Sequence, residues 1–424
     1  MPKAFALIDC NNFYVSCEQV FNPKLRNKAV VVLSNNDGCV ISRSQEAKSI
    51  GIEMGQPIFK CKDIVDKYNI QVLSSNFCLY GDMSNRVMTA ISDLCSDVEI
   101  YSIDEAFIIF NYDKNLNINN YLTNIRNIVF KWTGIPVSIG SGITKTLAKT
   151  ANKIAKKNNK LNGVFNLIIN DLEIEKYLEE INVSDIWGIG YSFSKLLSKH
   201  NIYNAKQLRN LPDSWIRAHL KTPGLKTIHE LRGIPCIEID EVIKPRKTII
   251  TSRTFGKDVE RIIELNEAVS SFVTNASEKL RKQKSVASCV HTYIMSNPFK
   301  DCERYYNSTI VYPTLPTANT LELINCSLAG LKKIYKDKIK YKKAGIMLSG
   351  IIPEIDAKTS LFFDPYSESK DESLMKVMDK INTIYGRDMI YPLSNGIKHS
   401  WGMRQLRKSQ RYTTKFEELL AIKI

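Results

Sequence analysis

The feature that most constrains the fold of this chain is a pair of adjacent acids inside a strand-forming run. Asp104 and Glu105 lie within "YSIDEAFIIF", residues 101–110, whose other members are mostly apolar. In a straight strand, neighbouring side chains point to opposite faces, which would bury Glu105 on the face of Phe107. Ionised carboxylates are costly in apolar surroundings unless something pairs with them. A tight bend at residues 102–104 removes the conflict, and we predict that both acids face one site at a hairpin tip.

The first strand of the chain supplies a third acid. The stretch "KAFALIDC", residues 3–10, has the pattern of a buried strand and brings Asp9 to its end. Hard carboxylate oxygens without histidine or cysteine partners suit Mg²⁺. We therefore expect Asp9, Asp104 and Glu105 to form a cluster that serves two-metal phosphoryl transfer. An exposed turn for the adjacent pair and a helix cap for Asp9 are the alternatives that spacing alone leaves open.

Strands and helices alternate through roughly the first 165 residues, which favours an α/β or α+β domain. One helix is predicted over residues 80–95, immediately before the acidic pair. A later helix in this region is expected to bury Leu122, Ile125, Val129 and Trp132.

The character of the chain changes from about residue 166, where short helices and turns begin. A basic linker at 244–253 leads into a third region with a helix at 264–284 and several strand-like runs. This pattern predicts a further α+β domain. Beyond residue 350 the sequence is polar, with a short helix near 372–384.

A lysine-rich helix is predicted over residues 145–160. At about 100° per residue its lysines fall within about 80° of one another, opposite an apolar face. The stretch contains no acid, so its lysine face repels itself unless an anion binds there. We expect this face to bind an anionic ligand, with a solvated helix surface as the simpler alternative. The lysines concerned are Lys145, Lys149, Lys153, Lys156 and Lys160.

A second candidate for phosphate contact is the sequence "WGIG". Gly188 and Gly190 precede an amphipathic helix, as in a helix-hairpin-helix whose backbone N–H groups hold a phosphate. A simple turn is the alternative reading of the same glycines.

Charge and composition narrow the class of protein. The 59 Lys and Arg residues against 44 Asp and Glu give a formal charge of +15, which favours a polyanionic partner. The ten cysteines form no C-x-x-C and the five histidines no H-x-x-x-H, so zinc and disulfide scaffolds are not indicated. No apolar run approaches the roughly 18 residues that a membrane span needs. We expect a reduced, cytoplasmic protein without a membrane partner.

Four motifs occur in an order and at separations that are typical of one enzyme family. They are "IDCNNFYVSCE", "YSIDEAF", "GITKTLAKTANKIAK" and "WGIG". Together they resemble the Y-family translesion DNA polymerases. Further stretches, among them "LYGDMSNRVM", "ELRGIPC", "SRTFG" and "RYTT", are similar to the UmuC-like branch, the catalytic subunits of bacterial DNA polymerase V. The resemblance runs from about residue 4 to about residue 415.

The resemblance implies an α+β multidomain fold of the right-hand polymerase type. Its parts would be a ferredoxin-like palm at 1–12 and 77–165, small fingers at 13–76, a helical thumb with a helix-hairpin-helix at 166–240, an α+β little-finger domain that binds DNA at 241–350, and a C-terminal extension for partner or clamp binding at 351–424.

The resemblance also implies roles for individual residues. The three acids would be catalytic and would hold two Mg²⁺ ions, with Mn²⁺ as a substitute and the backbone carbonyl of Cys10 as a further ligand. Tyr14 would be a steric gate whose ring clashes with a ribonucleotide 2′-OH. Gln45 stands where many relatives have tyrosine, so Ser42 and Ser44 are expected to donate to phosphate instead. The implied nucleotide-binding residues are Phe13, Tyr14, Val40, Ile41, Ser42, Arg43, Lys48 and Lys156. The implied DNA-binding residues are Lys145, Lys149, Lys153, Gly188 and Gly190.

The implied activity is error-prone, template-directed DNA synthesis past lesions in the SOS response, by transfer of a dNTP to a primer 3′-OH. The implied partners are primer–template DNA, a cleaved UmuD-type dimer, a recombinase filament and a sliding clamp bound through Leu361 and Phe362. Two other hypotheses remain open: a palm-like nucleotide cyclase, and a catalytically inactive regulatory subunit that binds DNA or the clamp.

Overall fold

The computed structural model describes residues 2–113, 116–168, 171–237, 245–299, 303–357 and 365–419. The chain divides into two compact units. The first comprises Met1–Ser34, Gly38–Val242 and Arg407–Ile424, and the second comprises Asn35–Asp37 and Ile243–Leu406.

The first unit is built on a five-stranded sheet and a three-stranded sheet. Its strands are β1 Lys3–Cys10, β2 Val30–Leu33, β3 Val40–Arg43, β4 Gln71–Ser74, β5 Asp97–Ile100, β6 Glu105–Asn111, β7 Val137–Gly142 and β8 Val164–Asn166. Its helices are α1 Phe13–Phe21, α2 Gln45–Ser49, α3 Lys62–Lys67, α4 Phe77–Leu94, α5 Ile118–Thr133, α6 Lys145–Lys157, α7 Asp171–Glu179, α8 Tyr191–Lys199, α9 Ala205–Arg209 and α10 Asp213–Leu231.

The five-stranded sheet has the order β5-β6-β1-β7-β8, so β1 is central and antiparallel to both of its neighbours. A central strand is buried on both faces, which explains why β1 is an almost continuous apolar run. The smaller sheet has the order β3-β2-β4. Helices α7 to α10 form a separate apolar cluster with residues of α6.

Helix α6 lies very close to the five-stranded sheet. A Cβ atom on Gly140 of β7 would lie 1.9 Å from the backbone nitrogen of Asn152 in α6, so only glycine permits this approach. Asn152 fixes the helix further, since its Nδ2 donates to the carbonyl oxygens of Leu7 at 3.3 Å and Ser138 at 2.7 Å. The close approach brings the lysines of α6 beside the ends of β1 and β6.

The second unit contains a four-stranded antiparallel sheet of order β11-β10-β12-β9. Apolar residues from the sheet and from two helices form its core. Its elements are β9 Ile249–Val259, α11 Ile262–Lys282, β10 Ser285–Ser296, β11 Tyr306–Val311, α12 Thr320–Ile334, β12 Tyr341–Pro353 and α13 Pro365–Ile384.

The α+β, multidomain organisation predicted from the sequence is confirmed, and most predicted strands and helices lie where expected. One core prediction is wrong. Leu122, Ile125 and Val129 are buried in α5, but Trp132 is 56% exposed. It lies in the last turn of the helix, just before the left-handed C-cap residue Gly134. No helix within the described ranges is long and apolar enough to cross a membrane.

Candidate active site

The predicted bend lies between β5 and β6, and Ser102 holds it in place. The Ser102 hydroxyl accepts the N–H groups of Asp104 at 3.2 Å and Glu105 at 3.1 Å, and it donates to Asp104 Oδ1 at 2.5 Å. The carbonyl of Asp104 accepts the N–H of Cys10 at 2.8 Å, which ties the hairpin tip to the end of β1. Asp9 and Glu105 are register partners across the two strands. The fold therefore brings the third acid to the tip, as the sequence predicted.

Two lysines of α6 face these acids. Lys156 Nζ lies 2.5 Å from Asp9 Oδ1, and Lys149 Nζ lies 2.8 Å from Glu105 Oε2. Burial raises the pKa of Asp9 to about 7, the positive charge of Lys156 opposes this rise, and the negative charge of Glu105 adds to it. The acids thus form a partly buried, mutually repelling group whose charge is only partly balanced.

The donor set fits a hard divalent cation in kind. Three carboxylates and the peptide carbonyls at the end of β1 provide oxygen ligands, which Mg²⁺ prefers. Within the residues that the structure describes, no three acidic, histidine or cysteine side chains converge as a closed metal-binding group. The reason lies in the contacts above: Asp9 is turned to Lys156, Glu105 to Lys149, and Asp104 to Ser102. Rotation of these side chains about their own bonds would be needed to share one ion.

A cavity of about 400 Å³ opens beside the acids, which is within the range of ligand pockets. Its lining includes most of the residues that the sequence assigned to metal or nucleotide, namely Asp9, Cys10, Phe13, Tyr14, Ile41, Ser42, Arg43, Lys48, Asp104 and Lys156. Asn12, Met54 and Ile103 also line it, and no role was predicted for them from the sequence, although Asn12 and Ile103 lie within two of the quoted motifs.

Three cations line one side of this cavity. Burial lowers the pKa of Lys48, and the positive charges of Arg43 and Lys156 lower it further. One guanidinium N–H group of Arg43 donates a hydrogen bond to the carbonyl oxygen of Ile52. Its Nε is buried and finds no hydrogen-bond partner in the described part of the chain. Clustered cations with an unsatisfied donor favour an anionic group such as phosphate or carboxylate.

Aromatic rings form another wall. The ring of Tyr14 stacks on Tyr80 with centroids 4.6 Å apart, and the edge of Phe77 meets it at 5.9 Å. Phe13 is 4% exposed and belongs to the core of the first unit, although part of it reaches the cavity. Tyr14 is the more exposed of the two neighbours.

Three expected nucleotide contacts require correction. Val40 is fully buried in the core of the three-stranded sheet, because it points to the opposite face from Ile41, and it does not line the cavity. The Ser42 hydroxyl lines the cavity but donates to the carbonyl of Asn12 at 3.2 Å. Ser44 caps α2 and donates to the carbonyl of Lys28 at 2.9 Å, so neither hydroxyl is free to replace the missing tyrosine at Gln45.

The lysine face of α6 also differs from the prediction. Lys145 is 2% exposed and its Nζ lies 2.5 Å from Glu99 Oε2, so it is enclosed by protein and withdrawn from DNA contact. Lys149 pairs with Glu105, and its Nζ lies over the ring of Trp187 at 5.3 Å. The acids that balance this face come from other elements, which the composition of the helix alone does not reveal.

Lys153 has a partner of the same kind. Its Nζ lies 2.5 Å from Asp185 Oδ1, and Lys157 lies 3.3 Å from the other oxygen of that carboxylate. Lys153 nevertheless keeps about a third of its surface exposed. Of the three α6 lysines assigned to DNA, it is the one that a phosphate can approach.

Gly188 and Gly190 lie in the turn before α8, where a hairpin was predicted. Gly188 has φ +88°, and a Cβ atom there would lie 2.6 Å from Thr227 Oγ1. Gly190 is the residue that precedes the first turn of α8. The clamp-binding prediction concerns Leu361 and Phe362, which lie outside the described residues.

Comparisons with known proteins agree with these observations. Residues 8–153 match the impB/mucB/samB family, and residues 246–361 match the C-terminal domain of the same family. A family helix-hairpin-helix motif matches residues 173–202, and a domain of unknown function matches residues 372–422.

Relatives match over almost the whole chain. "Protein UmuC" of Salmonella typhimurium is 40% identical over 422 residues, which cover 99% of this chain and all of that protein. A DNA polymerase IV of Ureaplasma parvum is 27% identical over 370 residues, 85% of this chain and 98% of that protein.

Among solved structures, a Y-family DNA polymerase chimera of Dbh and Dpo4 matches with a TM-score of 0.61 at 19% identity, covering 82% of this chain and 99% of the chimera. This likeness confirms the predicted polymerase fold with its helix-hairpin-helix. The chain belongs to the impB/mucB/samB family of Y-family DNA polymerases.

Proposed function

We propose that this chain is an error-prone, template-directed DNA polymerase that copies past lesions and transfers a dNTP to a primer 3′-OH. The observation that carries the proposal is the junction of β1 with the β5–β6 hairpin. There Asp9 and Asp104 line a cavity together with three cations, and Glu105 lies opposite Asp9 across the two strands. The names of its relatives, a UmuC protein and a DNA polymerase IV, agree with this activity.

Y-family polymerases generally depend on divalent metal ions. In this chain Asp9, Asp104 and Glu105 would hold two Mg²⁺ ions, or Mn²⁺ in their place, together with the backbone carbonyl of Cys10. Bound there, the ions would supply Lewis-acid activation of the primer hydroxyl and neutralise charge on the leaving group.

The chain's own cations would position the triphosphate. The cavity is lined on one side by Arg43, Lys48 and Lys156. Their clustered positive charge favours an anion that carries several negative charges. Tyr14 would face the sugar and exclude a 2′-OH, and Ile41 would cover the base pair. These contacts place and neutralise the reactants, which is the main task in phosphoryl transfer.

DNA would be held by several parts of the chain. We assign residues 1–12 and 77–165 to a palm, 13–76 to fingers, 166–240 to a thumb, 241–350 to a little-finger domain, and 351–424 to an extension that binds partners. The thumb would contact a phosphate through backbone N–H groups near Gly188 and Gly190, with Lys153 beside the duplex. On the second unit, Tyr293 and Lys343 lie on one face of the sheet, with Lys343 Nζ 5.9 Å from the centre of the Tyr293 ring, and both are partly exposed.

The partners that fit this function are primer–template DNA, dNTPs, a cleaved UmuD-type dimer, a recombinase filament, and a sliding clamp bound through Leu361 and Phe362. The place of action would be the cytoplasm, at the nucleoid. The SOS response to DNA damage is the setting in which such an assembly would act.

Primer extension by the purified chain tests the proposal. We expect Mg²⁺-dependent addition of templated dNTPs, including opposite an abasic site, in the presence of the partners. Cyclic nucleotide formed without any primer–template would instead support a cyclase. Salt-dependent DNA binding without incorporation, with or without the partners, would support the catalytically inactive subunit.

A further inference from the structure

A short C-terminal segment, residues 407–412, joins the smaller sheet of the first unit, and we name it the C-terminal strap. Lys408 forms a parallel bridge with Ser74 at the end of β4. The N–H of Ser74 donates to the carbonyl of Arg407 at 2.9 Å, and the N–H of Arg407 donates to Ser74 Oγ at 2.9 Å. The strap therefore bridges to the β4 edge of the sheet whose order is β3-β2-β4.

The strap also enters a buried polar cluster. Asn76 Nδ2 donates to the carbonyl oxygens of Ser409 at 3.2 Å and Gln410 at 3.1 Å. The Ser409 hydroxyl donates to Glu18 Oε1 at 2.9 Å. Glu18 is 1% exposed, so its carboxylate depends on protein donors. Beside this cluster the ring of Tyr412 stacks on Phe21 with centroids 4.8 Å apart.

The same carboxylate oxygen links the strap to the cavity wall. Tyr80, which is fully buried, donates its hydroxyl to Glu18 Oε1 at 2.7 Å. The face of the Tyr80 ring stacks on Tyr14, 4.6 Å away and inclined by 15°. Glu18 and Tyr14 lie four residues apart on α1, so they share one side of that helix.

We infer that Ser409 and Tyr80 are positioning residues for Tyr14, and that the C-terminal strap thereby sets the enzyme's discrimination between deoxyribose and ribose. The inference rests on the proposed function, in which Tyr14 faces the sugar. A buried carboxylate that loses one of two donors is left undersatisfied and shifts to regain a partner. Because Tyr80 bonds the same oxygen, the shift would reach the ring against which Tyr14 is packed.

The test is single-nucleotide primer extension by the full chain, with kcat/KM measured for a dNTP and the matching rNTP. Ser409→Ala removes the strap's donor, and Tyr80→Phe removes the hydroxyl while keeping the ring. We expect each to lower the dNTP-to-rNTP ratio, by up to about tenfold, the equivalent of one hydrogen bond. Lys415→Ala is the matched control, since Lys415 lies just beyond the strap and its ammonium group contacts Glu418, three residues further along, rather than Glu18.

A Tyr14→Ala background separates positioning from general weakening. In that background, adding Ser409→Ala should not change the dNTP-to-rNTP ratio, because the strap acts through the Tyr14 ring, which is already absent. An unchanged ratio in both single variants, or an equal loss for dNTP and rNTP, would overturn the inference. Absence of extension by the unsubstituted chain would instead count against the proposed function, so the two failures are distinguishable.

Discussion

Each acid of the candidate site already has a polar neighbour from its own chain. Asp9 faces Lys156, Glu105 faces Lys149, and Asp104 faces the Ser102 hydroxyl. Such pairing lets three carboxylates stand close together without unfolding the hairpin tip, because unpaired buried charges are strongly destabilising. It also means that Lys149 and Lys156 of α6 belong to the site rather than to a separate DNA-binding surface.

Tyr14→Ala should relax sugar selection. Removing the ring opens space where a 2′-OH would lie, so rNTP incorporation should rise by about 10- to 200-fold relative to dNTP, the range for a steric pocket contact. Kinetics of single rNTP addition measure this ratio. Tyr14→Phe keeps the ring and should keep the selectivity, and equal selectivity in Tyr14→Ala and the unsubstituted chain would remove Tyr14 from the gate role.

At the scale of elements, the hairpin tip could be predicted from the sequence and the partners of α6 could not. The bend at 102–104 follows from the alternation of side chains along a strand, because a straight strand would place Glu105 in the core. Glu99 and Asp185, which neutralise Lys145 and Lys153, lie on other elements far along the chain. No periodicity within α6 indicates them, since only the tertiary fold brings them to the helix.

The turn before α8 offers a matched pair of substitutions. Gly188→Ala should lower the free energy of unfolding by about 1–3 kcal/mol, because φ is +88° and the new Cβ would meet Thr227. Gly190→Ala should change it by less than about 0.5 kcal/mol, since nothing lies within 4 Å of its Cβ. Thermal or urea unfolding of both variants measures the difference, and equal stability would contradict this account of the turn.

The buried Glu18 predicts a pH dependence of stability. Burial raises its pKa above the ordinary 4.5, so the folded state binds this proton more tightly than the unfolded state. The contribution of Glu18 to the free energy of unfolding is therefore largest below pH 4.5 and is lost as the pH rises through the folded-state pKa. The unfolding free energy of the chain, relative to Glu18→Gln, should fall between acid and neutral pH. If the difference in unfolding free energy between the unsubstituted chain and Glu18→Gln stays constant with pH, the raised pKa of Glu18 is contradicted.

At the scale of the whole molecule, the net charge and the family both point to DNA as the partner. The formal +15 predicted a polyanionic partner, and the family match over 99% of the chain is consistent with DNA. The order of motifs sufficed to predict the fold, because each motif lies at a strand end or turn that the fold requires. The strap was not predicted, since its contacts join residues 74–76 to residues 407–410.

Salt should govern DNA affinity. A protein that neutralises 6–10 phosphates loses about 10³- to 10⁵-fold of its affinity between about 50 and 200 mM salt. We expect the logarithm of the binding constant for primer–template DNA to fall linearly with that of salt concentration, as fluorescence anisotropy would measure. Affinity that does not depend on salt would contradict a grip through the DNA backbone.

The junction of β1 with the hairpin is the central claim, and primer extension by an Asp104→Asn, Glu105→Gln double variant tests it most directly. Amides keep the shape of both side chains but remove the charge, so extension should fall by at least about 100-fold, given the several kcal/mol that metal-held charge contributes. Asp97→Asn, at an exposed position of β5 in the same hairpin, should leave the rate unchanged. Full extension by the double variant would contradict the assignment of the site.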